Sequence, residues 1–426
     1  MPQLFPSRGF RRTRERSSGL LFAFGVDDLS TSVITGQTLT FARNGGRTAL
    51  DSAGRVMTLV RDQMPWSAWY NQTEATYEPV YDAQTGTTNL CLQSENFGTT
   101  WTAVGSPTRT AAAKKCGDLS LDLIGDDDGG VLEYYHQTVT YTGDAIKALS
   151  LFMAAGTSTS CLVRIRDTTA GANRVAAVIT WASGVPTVTM STGTHLSTIP
   201  CAGGVYRFMF QSSTVTAANS NRIEVYPATT SGGATANTGT VYAGGVQTEN
   251  RVNPGSYIKT TTTTASTVAD SLSASVTIPV DDFTVYARVS KPSWSGLSGG
   301  ATFPIVGQPI AVSNGYWWLE YDSANARVNA GMAQAGSGQI AFRSVPSTDL
   351  FEICAQYDNP STGGVVRVDV GAGFSSDSSA VAAISQWDSA TVNIGIVGTT
   401  CTDAGIRRVI IAPGLRTLSQ MRGLAV

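Results

Sequence analysis

Apolar and polar residues alternate at period two along much of this 426-residue chain. No apolar period of 3.6 persists over the length of an ordinary helix. The alternation is plainest at Leu39-Thr40-Phe41-Ala42-Arg43, Leu119-Ser120-Leu121-Asp122-Leu123-Ile124 and Phe283-Thr284-Val285-Tyr286-Ala287-Arg288-Val289. Such runs put one side chain in two on a buried face, which is the signature of a half-buried strand. Further strands are expected at 148–155, 205–208, 317–321, 365–370, 392–396 and 405–412. Turn-forming clusters separate them. Asp51-Ser52-Ala53-Gly54 reads as a hairpin turn, and Gly125-Asp126-Asp127-Asp128-Gly129-Gly130 as a longer one. Only 415–424 hints at a short helix. The pattern predicts an all-β protein of consecutive sandwich or jelly-roll-like domains.

Five segments follow from where the pattern changes. Residues 1–24 form an extended basic arm with no core face. Residues 25–85 form a small β-rich region, dense in aromatics at Trp66, Trp69 and Tyr70. Residues 86–259 hold the first sandwich, residues 260–269 a threonine-rich connector, and residues 270–426 a second sandwich. Threonine favours extended chain, so the connector is expected to be a stiff strap.

Composition narrows the partners. Charged residues make up 14% of the chain and the formal net charge is −2, so nothing draws the whole molecule to nucleic acid or an anionic membrane. Hydroxylic residues replace charge on the outward faces. Positive charge concentrates in the arm, at Arg8, Arg11, Arg12, Arg14 and Arg16, opposed there by Glu15. No apolar run reaches the roughly 18 residues of a membrane span. Leu20-Leu21-Phe22-Ala23-Phe24 is too short for a secretory h-region, so synthesis in the cytoplasm is expected. The six cysteines are scattered without metal-ligand spacing and read as small buried apolar residues.

Two phrases bracket the first sandwich. One is Thr88-Asn89-Leu90-Cys91-Leu92-Gln93-Ser94-Glu95-Asn96-Phe97, with Trp101 after it. The other is Gly244-Gly245-Val246-Gln247-Thr248-Glu249-Asn250, running through Pro254-Gly255-Ser256-Tyr257-Ile258 into a threonine run. Together they resemble a family of tailed-phage virion proteins, whose members open such a domain with TNLLLYSEDF and close it with GAQLE and SYIPTT. The strands at 148–156 and 203–208 match two more landmarks of that family in order. The C-terminal pattern at 392–421 is similar to the last strands of a concanavalin-like (laminin-G-like) sandwich. The resemblance implies a virion structural protein of the tail-fibre, head-fibre or decoration type. It would be displayed on the particle surface after synthesis in the host cytoplasm. Its partners would be other capsid or tail proteins, sister subunits in a homotrimer, and a host-surface glycan. Purely architectural cement and polysaccharide depolymerase are the alternatives.

Candidate chemistry is sparse. The two histidines, His136 and His195, have no triad or metal partners near them in sequence, and no catalytic residue or cofactor is expected. Concanavalin-like glucanases place E-x-D-x-x-E on a strand. Here Glu320-Tyr321-Asp322 is followed by Asn325, which cannot act as an acid. Asp126, Asp127 and Asp128 are weak calcium candidates without the spacing of a dedicated loop. Trp294, Tyr316, Trp317 and Trp318 are candidate glycan contacts, since flat rings stack on sugar faces. Trp317 and Trp318, adjacent on a strand, must point to opposite faces. The arginines of the arm suit fixed contacts to a neighbouring virion protein better than nucleic acid, because no fold presents them to a groove.

Overall fold

The computed structural model describes residues 22–24, 39–42, 45–59, 66–71, 76–82, 86–233, 235–267, 270–278, 280–290, 302–308, 315–322, 325–334, 337–344, 350–358, 360–362, 365–371, 375–376, 387, 391–394, 396–397, 400–401 and 405–424. Strands dominate, all paired antiparallel in their ladders, and the one α-helix among these residues is Leu418–Leu424. The protein is all-β.

The first sandwich is two six-stranded sheets. One runs, in spatial order, Thr194–Cys201, Val205–Gln211, Ala148–Ala155, Gly239–Glu249, Leu119–Asp126, Thr108–Cys116. The other runs Val185–Thr192, Ala172–Ala182, Ser160–Asp167, Asn221–Tyr226, Tyr134–Val139, Thr102–Val104. Their inner faces meet in a core of Leu149, Leu151, Met153 and Phe208 from the first and Val163, Ile165, Ile179 and Val225 from the second. The first sheet is covered on its other face too, by Val56 and Tyr257 packing on Leu119, Leu121, Phe152 and Ala154. That double cover explains the near-continuous apolar run Ala148-Leu149-Ser150-Leu151-Phe152-Met153-Ala154, every member of which is buried. A strand with one wet face would alternate instead.

The second sandwich draws on both ends of the chain. One sheet carries Val365–Asp369, Leu350–Asp358, Phe283–Ser290 and Gly405–Pro413 as neighbours, followed by the hairpin strands Thr76–Asp82 and Trp66–Asn71. Phe22–Phe24 also pairs with Gly405–Pro413, Phe22 opposite Ile411. The other sheet begins with Leu39–Ala42 beside Ser271–Ser275 and ends with Gly315–Asp322, Arg327–Gln334 and Ser337–Ser344. Phe283, Trp317 and Tyr357 form its aromatic centre, with Phe283 and Tyr357 stacked at 4.5 Å. The helix caps the outer side of the first of these sheets, placing Leu418 and Met421 on Tyr286, Cys354 and Ile410.

Two segments read separately in the sequence are therefore built into larger bodies. Strands within 25–85, and Phe22–Phe24 from the end of the arm, complete the second sandwich. A lone short strand leaves its backbone N–H and C=O groups unpaired, and an existing sheet edge satisfies them. The first sandwich is thus inserted between strands of the second. The threonine connector, expected as a stiff strap, is extended and tied down at its end. Ala265–Thr267 pairs with Thr87–Asn89, and Thr260 is buried. Arg47, in the hairpin Arg47–Leu50/Val56–Leu59, makes a buried 3.0 Å ion pair with Asp270 at the start of the second sandwich's C-terminal part.

Candidate functional site

The two bracketing phrases lock together. Asn89 Nδ2 donates to the carbonyls of Val246 (3.1 Å) and Ile258 (2.9 Å), and its Oδ1 accepts from the amides of Cys91 and Thr248. Gln247 accepts from Ile258 N and donates to Glu249 and to the Ser256 carbonyl. Ser94 and Tyr257 share a 2.6 Å hydrogen bond, and the Tyr257 hydroxyl also donates to Glu95, which pairs with Lys259 at 2.7 Å. Burial, more than the neighbouring Glu95 carboxylate, raises the Tyr257 pKa well above the usual phenol range. These polar atoms are committed to closing the sandwich. The motif residues hold shape rather than present chemistry.

A row of polar and aromatic residues sits on the outer face of the second sheet of that sandwich. Three strands, Tyr134–Val139, Asn221–Tyr226 and Ser160–Asp167, send alternate residues to the core: Tyr135, Ile223, Val225, Val163 and Ile165. The intervening residues lie on the outer face and fall into register as cross-strand rows, in which Leu162, Tyr226, Glu224 and His136 are buried beneath half-buried Tyr134, Arg164, Arg166 and Arg222. Leu162 lies opposite Tyr226, and Tyr134 stacks on the Tyr226 ring at 4.3 Å. Next come His136, Glu224 and Arg164 side by side, then Thr138, Arg222 and Arg166. Arg164 binds Glu224 at 2.6 Å, hydrogen-bonds the Tyr226 hydroxyl, and lies over that ring at 4.6 Å. Burial and then the nearby Arg222 charge push the His136 pKa down, so its ring is neutral at pH 7. His136 Nδ1 and Arg222 Nε are buried with no hydrogen-bond partner among the described residues.

Arg166 and Arg222 are direct cross-strand neighbours of like charge. Such a pair is unfavourable by itself, and only one of the three outward arginines, Arg164, has an acidic partner on this face. The Tyr226 ring and Glu224 carboxylate are buried and taken up by Tyr134 and Arg164, so Arg166 and Arg222 are the basic groups this face offers to a negatively charged ligand. Sequence reasoning missed this face. Its signal was Arg164-x-Arg166 and Arg222-x-Glu224-x-Tyr226, polar residues alternating with the apolar core positions of the same strands.

The residues singled out from the sequence fare differently. Trp317 is fully buried in the second core, which removes it from any surface site. Trp318 points outward and stacks on Tyr316 at 5.4 Å. Phe342 and Ile340 are exposed two strands away on the same face, which makes a second, more apolar patch. Trp294 and the arginines Arg8, Arg11, Arg12, Arg14 and Arg16 lie outside the described residues. Asp126 accepts backbone amides from Asp128 and Glu133, Asp128 accepts one from Gly130, and Glu133 accepts one from Asp127, so these carboxylates pin a turn. Among the described residues no cluster of three or more His, Cys, Asp or Glu is arranged to hold a metal. Asp322 accepts from Asn325 and Arg327. Burial raises the pKa of its neighbour Glu320, opposed by hydrogen bonds from Asn329 and Trp318. His136 is buried on its sheet face rather than exposed, and His195 hydrogen-bonds Thr198 at 2.9 Å.

No protein-family model matches the chain, and no curated protein sequence does. Among solved structures the chain is similar to domains LG4–5 of the mouse laminin α1 chain, at 8% identity over 64% of this chain and 85% of that one, with a TM-score of 0.22. A likeness of that size leaves function to be argued from the chain's own residues. No helix among the described residues is long and apolar enough to cross a membrane.

Proposed function

We propose that the chain is a structural protein of a tailed-phage virion. In this reading it is a surface fibre, spike or decoration that contributes to host adsorption by binding glycan without chemistry. The basic arm anchors it to a capsid or tail protein, sister subunits assemble with it as a homotrimer, and a concanavalin-like C-terminal sandwich carries the Tyr316–Trp318 patch. The observation that supports this best is that the phrases carrying the phage resemblance are the ones the fold uses, through Asn89, Ser94, Gln247 and Tyr257, to close the first sandwich. A string resemblance scattered over unrelated positions would not form one buried network. The half-buried Arg166 and Arg222, side by side on one sheet face, support an acidic glycan as the ligand, and repeated copies on a particle raise the avidity of each weak site.

The test is deletion of residues 1–18, followed by incubation of the folded protein with particles that lack it. Loss of incorporation, with retained binding of the free protein to host-surface polysaccharide, is the expected result. Full incorporation of the truncated protein sinks the anchoring role of the arm. Incorporation without any glycan binding by the intact protein favours architectural cement. Cleavage of the polysaccharide sinks the non-catalytic reading.

A further inference from the structure

Cys116 and Cys201 are the last residues of the two outermost strands of the first sandwich's doubly covered sheet. Far apart in sequence and at opposite edges of that sheet, they nevertheless share one small apolar cluster with Val56, Leu121, Phe152 and Val205. The turn at Gly54 sits between them. Its carbonyl oxygen accepts the Cys116 thiol at 3.6 Å and the amide of Ala202, the residue after Cys201, at 2.9 Å. Asp118 N donates to Val56 O at 2.7 Å on the Cys116 side, and Gly117 is in the left-handed region at φ 65°, where a Cβ would also strike the Val56 carbonyl. The hairpin therefore fixes both strand ends at once.

Each thiol donates to a backbone carbonyl, Cys116 to Gly54 and Cys201 to Ile199 at 3.7 Å, and the two lie close enough for the charge state of one to act on the other. That proximity, outweighing burial, lowers the Cys116 pKa and raises that of Cys201. The contrast with Cys91, Cys161 and Cys354 is direct: burial pushes each of those up to about 12. A thiolate is the attacking species in disulfide exchange, and a neighbouring thiol resolves the mixed disulfide.

We infer that Cys116 and Cys201 form a latent disulfide, held side by side as thiols in the reduced chain and closed by exchange with a low-molecular-weight disulfide. The Cys116 thiolate attacks one sulfur of that disulfide, giving a mixed disulfide and one departing thiolate. The Cys201 thiol then loses its proton and its sulfur attacks the Cys116 sulfur, releasing the second thiolate. Two protein thiols are oxidised and the small disulfide is reduced to two thiols. The new bond joins the two edges of the sheet beneath the Asp51–Val56 turn and closes a long loop, which restricts the unfolded chain. The inference does not depend on the virion reading.

The experiment is to hold the full chain with oxidised glutathione, both folded and during refolding from denaturant, then block free thiols and map disulfides by mass spectrometry. The refolding arm gives the oxidant access that burial denies in the folded state. The expected result is a Cys116–Cys201 linked peptide pair, with a melting midpoint raised by about 5 °C or more and restored by dithiothreitol. Cys116→Ser and Cys201→Ser should each fold, lose the linked pair and lose that rise. Absence of the pair after refolding, a pairing with another cysteine, or an intramolecular disulfide that persists in Cys116→Ser overturns the inference.

Discussion

The indole of Trp318 lies flat against the bare Cα of Gly331 on the neighbouring strand, so that a Cβ at that position would collide with the ring. Glycine is otherwise a poor strand residue. Here it makes the space that lets an outward tryptophan lie down on the sheet beside Tyr316. Gly331→Val should therefore lose the usual strand benefit of valine and destabilise by about 2 kcal/mol through overpacking. A urea midpoint measurement checks it. An unchanged or raised midpoint would mean that the ring moves aside at no cost.

Asn89 satisfies four backbone groups from a fully buried position. Asn89→Ala leaves those groups without partners and should cost about 3 kcal/mol, with loss of the strand pair Thr87–Asn89/Ala265–Thr267. Ser266→Ala, which removes an exposed hydroxyl contact to Thr88, is the control and should stay within about 0.5 kcal/mol. Equal stabilities for the two variants would refute the role assigned to Asn89.

Acid should weaken the fold in part through Asp167. Burial alone would raise its pKa, but hydrogen bonds from Ala170 N, Arg174 and Asn219 outweigh that and hold it at about 2. A carboxyl whose folded pKa lies below its unfolded value contributes stability at pH values above the unfolded pKa, and that contribution is lost as pH falls toward the folded one. From the ordinary value of 3.8 down to about 2 the difference amounts to about 2 kcal/mol. Asp167→Asn should therefore be less stable at neutral pH yet lose about 2 kcal/mol less than the parent on acidification to about pH 2. Parallel acid limbs for the two proteins would contradict it.

Arg166 and Arg222 face one another across two strands, so replacing both with alanine should leave folding stability unchanged or slightly higher. Retention on an acidic polysaccharide should fall about tenfold or more, and its salt dependence should flatten. A neutral polysaccharide of similar linkage is the comparison. If stability falls sharply instead, these arginines hold the fold and the face is not a ligand site.

The fold class was legible because strand alternation is local: Phe283–Ser290 and Leu119–Asp126 show it in their own residues. The inward and outward partition of Trp317 and Trp318 was legible for the same reason. What escaped was anything set by pairing between distant strands. Leu39–Ala42 reads as a strand, but nothing near it says that its partner is Ser271–Ser275. The row of His136, Glu224 and Arg164 joins three strands and exists only in register. The bracketing phrases were visible as words, while their shared network, from Asn89 to Ile258, was not.

The insertion of one sandwich within the other also orders events in time. Phe22 pairs with Ile411, so this strand, once made, waits for a partner that is synthesised much later. At roughly 5–20 residues per second that wait is about 20 s to over a minute. The inserted sandwich needs nothing beyond Thr267 for its closing strand pair and can be complete while its host is still half made. Through that interval the host's early strands are unpaired edges, open to the same edges on neighbouring nascent chains. The charge-poor, hydroxyl-rich sequence gives those edges little electrostatic protection, which makes synthesis, more than the finished molecule, the stage at which this protein is most exposed to aggregation.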